Sequence, residues 1–209
     1  MRALTQKRKS ASSGQNVGLF RKVRSVPFFF YLLPPMISPR LHAAAAELAS
    51  RTMPGDGFQT PHIVLDTHIV MECFFWKDEK AMPLKAAIEA GKIRLAASRD
   101  AFLELAGVLS RQQFGLSEEE VEAILRHTAQ FSDFASPERL ERAAEGISVR
   151  CRDPEDQKFL TLAGASKARA LVTRDKLLFK AAKKLRRCGI EPAAPENLPK
   201  LLPDLFRAP

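Results

Sequence analysis

Four acidic residues set the chemistry open to this chain: Asp66, Glu104, Asp156 and Asp175. Asp66 ends the apolar run Ile63, Val64, Leu65, and Asp175 follows a second such run, RALVT at 169–173. Unbroken apolar runs of this length suit short strands buried on both faces. An acid at the carboxyl end of such a strand is either the cap of the next helix or part of a site, because open α/β sheets bind ligands just outside those ends. Glu104 and Asp156 fall near the starts of predicted helices. If the topology brings all four to one edge, like charges repel and must be compensated. A hard divalent cation, Mg²⁺ or Mn²⁺, takes carboxylate oxygens and keeps some of its waters, so it fits that need. Such a centre activates water and neutralises a phosphodiester, which is metal-assisted hydrolysis. Each acid also has a plainer reading: Asp66 and Asp175 as caps, Asp156 as a first-turn charge favoured by the helix dipole, Glu104 as a half-exposed rim.

The elements that must position these acids follow from pattern. THIVMECFF after Asp66 is a short apolar helix or turn, and a helix runs from about Glu79 to Gly91 on the face Leu84, Ala87, Ile88. IRLAAS (93–98) is a strand whose Ser98 caps the helix SRDAFLELAGVLSR, with Phe102, Leu105, Ala106 and Leu109 as its buried stripe. Glu104 sits on the rim of that stripe. Ser117 and Glu120 form a capping box opening the next helix. SPERLERAAEG is helical between Ser136 and Gly146, and ISVRC (147–151) is expected to be a strand. Asp153 followed by Pro154 predicts a helix start, placing Asp156 one turn in on the inward face with Phe159, Leu160 and Ala163. After Asp175 come the helix KLLFKAAKKLRR, a strand near Gly189 to Glu191 and a closing helix over Pro195 to Leu202. Alternating strands and helices imply a parallel, doubly wound α/β sheet flanked by helices.

The formal charge of +9 invites a nucleic-acid reading, but its location matters more than its size. Residues 1–60 carry nine basic residues against two acids, while the other 149 residues hold 24 basic and 22 acidic. The expected division is therefore a basic, disordered extension over 1–60 and a folded domain over 61–203. Within the extension, Pro39 to Arg51 has the composition of a short Ala-rich helix, and Met53 offers an alternative start. A basic start followed by an aromatic run imitates a signal peptide, but the prolines in and after that run argue against one. The run VPFFFYLLPPMI is too short and too broken by proline to span a bilayer, so no membrane role is expected. Cys73, Cys151 and Cys188 form no CxxC pattern, which favours buried thiols in a reduced, cytoplasmic chain.

The set IVLDT, SRDAFLELAGVLSR, CRDPEDQKFLTLA and ALVTRDKLL, in that order over about residues 61–202, resembles the PIN-domain ribonucleases. It looks most like the subgroup assigned as toxins of toxin-antitoxin systems. The resemblance implies a PIN-like fold and a catalytic, metal-binding carboxylate at each of Asp66, Glu104, Asp156 and Asp175, together holding one or two Mg²⁺ or Mn²⁺ ions. It places Asp156 rather than Asp153 in the third position, seven residues before Ala163, and leaves Asp153 as a supporting residue or cap. It gives Thr173 the hydroxyl that orients the last acid. It further implies an RNA substrate, a small antitoxin partner and a homodimer. Two residues depart from the family pattern: His68 stands where Asn is usual, and Arg174 where Gly is frequent. His68 would donate a hydrogen bond within the site or weaken the metal, and Arg174 would meet a phosphate. Arg99, Arg111, Arg152, Lys158, Arg174 and Lys176 flank the acids and are candidates for contacts to the RNA backbone, although each alone reads as a solvated charge. Two competing readings remain at this level. One is a catalytically silent PIN fold used for binding; the other is a receiver-like signalling domain, which wants an adjacent acid pair after the first strand where VLDTH offers one Asp.

Overall fold

The computed structural model describes residues 37–51 and 61–207. At its centre lies a five-stranded, all-parallel sheet in the order β3-β2-β1-β4-β5. Its strands are β1 (His62–Leu65), β2 (Arg94–Ala97), β3 (Ser132–Phe134), β4 (Ala170–Val172) and β5 (Glu191–Ala193). The chain adds strands outward from β1 to β2 and β3, then crosses to the other side of β1 for β4 and β5. The order reverses between β1 and β4, and in open sheets the ligand crevice opens at that reversal, outside the carboxyl ends of the strands. Asp66 follows β1 and Asp175 lies three residues beyond β4, so both acids stand at the reversal.

Most helices start where their capping residues predict. Ser98 Oγ accepts the Ala101 N–H (3.3 Å) to open α4 (Arg99–Leu109), after α2 (Thr67–Met71) and α3 (Met82–Glu89). The Ser117–Glu120 capping box opens α5 (Glu118–Gln130), and Ser136 caps α6 (Pro137–Gly146). Beyond it lie α7 (Gln157–Ala165), α8 (Lys176–Ala182) and a final short turn of helix, α9 (Leu198–Leu201). Gly91 follows α3 with φ +71°, a left-handed conformation in which glycine carries no Cβ penalty.

Three expectations are corrected. ISVRC is not a strand: the Gln157 side chain takes up its backbone, Oε1 accepting the Cys151 N–H (2.9 Å) and Nε2 donating to the Val149 carbonyl (3.1 Å). The third strand is instead Ser132-Asp133-Phe134, too short and polar to stand out by alternation. The helix expected at Asp153 begins at Gln157; Asp153 Oδ1 closes only a local turn by accepting the Glu155 N–H (2.9 Å). Asp156 is consequently the boundary residue of α7 rather than a residue one turn inside it. Of the cysteines only Cys73 is fully buried, and burial pushes its thiol up to about 12.

Both sheet faces are covered. Ile63, Leu65, Leu95 and Val172 pack beneath α3 and the π-helical turn Glu72–Trp76, while Val64, Ala96 and Leu171 pack under α7 and α8. A third cluster lies between α1 (Pro39–Ala49), α4 and α5, with Leu41 and Leu48 each 1% exposed among Phe75, Leu105, Phe114 and Leu125. The Ala-rich stretch expected to be a helix is one, but it belongs to the packed domain rather than to an extension. The disorder expected for the rest of 1–60 falls on residues 1–36 and 52–60, which lie outside the described residues.

At the amino edge of the sheet, His62 Nε2 lies 2.6 Å from Asp133 Oδ2, and Arg94 reaches both oxygens of the same carboxylate (3.0 and 2.7 Å). This trio makes a charged residue tolerable in the buried strand β3 and ties three strands together. Replacing Asp133 by Ala leaves His62 and Arg94 without their shared acceptor. A loss of about 3 kcal/mol in unfolding free energy is expected, measured by urea titration.

Candidate active site

The register pairs Leu65 with Val172, which sets Asp66 level with Thr173. The Asp66 N–H donates to the Val172 carbonyl (3.1 Å), and its side chain caps α2 by accepting the Ile69 N–H at Oδ1 (2.9 Å). Asp175 caps α8 in the same manner, one carboxylate oxygen accepting the Leu177 and Leu178 N–H groups (2.7 and 2.8 Å). The capping reading and the site reading therefore hold together, since each cap uses one oxygen. Thr173 is fully buried; its hydroxyl oxygen accepts the Asp175 N–H (2.9 Å), while the hydroxyl also hydrogen-bonds to the Asp66 carboxylate. One side chain thus links both acids at the strand reversal, beyond the role expected for the last acid alone.

Glu104 lies in the second turn of α4 and Asp156 at the start of α7. Asp156 feels the charges of Asp153, Asp175, Glu104 and Asp66, so the structure brings all four predicted acids, and Asp153, within electrostatic reach. Among the described residues, no three acidic, histidine or cysteine side chains stand close enough to hold one ion. Mutual repulsion spreads bare carboxylates, and Glu104 is held by Lys158, whose Nζ is 2.6 Å from Oε2. The donor set is all oxygen, and of the four acids Glu104 alone is offset by that lysine, which suits a hard divalent cation.

The electrostatics carry that lack of compensation. Burial, with Glu104 nearby, pushes Asp66 up to about 6 from an ordinary 3.8, against the lowering effect of Thr173, the Ile69 N–H and His68. Burial and then the neighbouring acids push Asp156 up to about 7; unlike Asp66 and Asp175 it makes no capping hydrogen bond. Because both pKa values are raised on folding, between about pH 4 and 7 the folded chain holds protons that the unfolded chain has lost. The contribution of these two groups to the stability of the metal-free protein therefore falls as pH rises through this window, and is smallest above it. Asp156→Asn removes much of that penalty. Solvent screening at this half-exposed group limits the expected gain to about 1–2 kcal/mol at pH 8, or roughly 2–8 °C in Tm. Scanning calorimetry without metal should show the gain shrinking as pH is lowered to 5. Protons and cations compete for the same oxygens, so cation affinity should rise over the pH range where these groups ionise.

The flanking residues divide. Arg174 does not point a free guanidinium toward a phosphate: Nε donates to Glu72 (2.7 Å) and Nη1 to Glu196 (2.9 Å). Burial opposes its charge, yet these two carboxylates raise its pKa. His68 is half exposed, 3.3 Å from Glu72 Oε1, with its ring edge on Trp76. Arg111 lies just past the end of α4, seven residues beyond Glu104, with one of its terminal nitrogens buried. Arg99 and Lys176 are exposed at the first positions of α4 and α8, and Arg152 is exposed just before Asp153, on the edge that carries the acids.

Sequence reasoning missed Glu72. It is 5% exposed and is held below its ordinary range by His68 and Arg174 despite burial. Its signal was present: an acid inside the apolar run VMECFF needs a buried partner, and Arg174 at an unusual position supplies one. The ion pair from Lys158 to Glu104 was likewise not foreseen.

Among the described residues no helix is long and apolar enough to cross a membrane. Searches of the curated proteins and of the solved structures return no match. The family model described as PIN domain matches residues 62–177, spanning β1, all four acids and the start of α8. PIN domains are typically nucleases that act on RNA or other nucleic acid with divalent metal ions. The match covers more than half of the 209 residues, with four of the five strands and the acidic carboxyl edge inside it, and the chain belongs to the PIN-domain family.

Proposed function

We propose that the chain is a Mg²⁺- or Mn²⁺-dependent endoribonuclease, the toxin of a toxin-antitoxin pair, working in the cytoplasm as a homodimer restrained by a small antitoxin protein. The observation that carries the catalytic part is the mutual charge of Asp66, Glu104, Asp156 and Asp175 at the β1/β4 reversal, with Asp66 and Asp156 pushed to about 6 and 7. Support for the toxin role, the antitoxin and the dimer is the resemblance of the four motifs and their order.

In this reading the four acids hold the cation through oxygens that the caps leave available, and Thr173 fixes the orientation of Asp66 and Asp175. When bound, the cation supplies neutralisation of the phosphodiester and activation of the attacking water. Arg99, Arg152 and Lys176 hold the RNA backbone by charge, without reading sequence. Arg174 is assigned to bracing Glu72, and Asp153 to adding negative charge beside Asp156.

The test is cleavage of a labelled single-stranded RNA by the full chain. Cleavage is expected with Mn²⁺ at pH 8, with loss on adding EDTA and recovery on restoring the metal. Absence of cleavage together with RNA binding would favour the silent binding fold, which the pairing of Glu104 with Lys158 gives some support.

A further inference from the structure

Lys158 lies two residues beyond Asp156 on α7 and reaches across to α4. Its Nζ stands 2.6 Å from Glu104 Oε2 and donates to the Glu155 carbonyl (2.5 Å). The same ammonium is 5.3 Å from the centroid of the Phe159 ring. With a carboxylate, a carbonyl and a ring face as neighbours, and the side chain 22% exposed, the ammonium is held in place at the surface.

We propose that Lys158 is a built-in counter-ion that a divalent cation must displace from Glu104, so that it sets the affinity of the acid cluster for metal. This rests on the reading of the four acids as a cation centre. A positive charge at 2.6 Å takes up one oxygen of Glu104 and offsets the negative field felt by an incoming ion. It also draws Glu104 away from the other acids, in keeping with the absence of a tight three-ligand cluster among the described residues. In the metal-free chain it relieves repulsion among the carboxylates. Once displaced, a lysine on a flexible four-carbon stem stays beside the site as a point charge for an RNA phosphate.

Lys158→Met keeps the stem and removes the charge. Titration calorimetry of the full chain with MnCl₂, without RNA, should show the variant binding Mn²⁺ about tenfold more tightly than wild type. Its metal-free Tm should fall while its Mn²⁺-loaded Tm does not. Lys158→Arg, which keeps the charge, should return Mn²⁺ affinity toward the wild-type value. If wild type binds Mn²⁺ and Lys158→Met binds equally or more weakly while remaining folded by circular dichroism, the counter-ion role is wrong and the cation centre stands. If wild type binds no Mn²⁺, the cation-centre reading itself fails, and this inference with it.

Discussion

Asp66→Asn is expected to lower Mn²⁺-dependent RNA cleavage by more than about 100-fold, exceeding the loss usual for residues that only support a metal ligand. The amide oxygen of Asn can still accept the Ile69 N–H, so the cap on α2 and the fold survive. What disappears is the negative charge at the β1/β4 reversal. In metal-free protein at pH 8 the variant should be at least as stable as wild type, because Asp66 is 6% exposed and burial opposes its ionised form. Thr173→Val provides a graded comparison: it keeps both acids but removes the hydroxyl that links them, and a loss of about 10–100-fold is expected. Cleavage assays at matched Mn²⁺, with Tm measured in parallel, separate these cases. If Asp66→Asn cleaves at the wild-type rate, Asp66 is a helix cap and nothing more.

The second large effect concerns stability and lies far from the acids. Leu48→Ala in α1 should cost about 3 kcal/mol, and Leu41→Ala a similar amount, because each side chain is 1% exposed in a cluster shared with α4 and α5. A chain begun at Met53 would lack α1 altogether and leave the cluster that α1 shares with α4 and α5 without one of its helices. It should aggregate or unfold at lower urea, and it should lose activity too, since α4 carries Glu104. Urea titration of Leu48→Ala and solubility of the truncated chain measure this directly. Wild-type behaviour of both would mean that α1 is dispensable.

The parts of the architecture with strong local signals were legible in the sequence. β1 and β4 are apolar runs ended by acids, and the caps Ser98, Ser117 and Ser136 mark the starts of α4, α5 and α6. What escaped depended on distant partners. β3 is invisible to alternation because Asp133 is made tolerable by Arg94 and His62, which lie 39 and 71 residues away. ISVRC has the composition of a strand, but Gln157 satisfies its backbone instead. The Asp153-Pro154 start signal is genuine but closes only a turn, displacing the helix to Gln157. The candidate acids could be named because parallel topology sends strand ends to one edge. The pairings that surround them, Glu104 with Lys158 and Glu72 with Arg174, are side-chain contacts between elements and leave no periodic trace.

The four acids are proposed to form one shared cation centre. Diffraction from a crystal grown with MnCl₂ near pH 8, with data collected at a wavelength where manganese scatters anomalously, tests it most directly. An anomalous peak bounded by carboxylate oxygens of Asp66, Asp156 and Asp175, with Glu104 turned from Lys158 toward it, is the predicted result. A well-ordered map with no manganese at that edge, or with manganese bound only elsewhere, would contradict it.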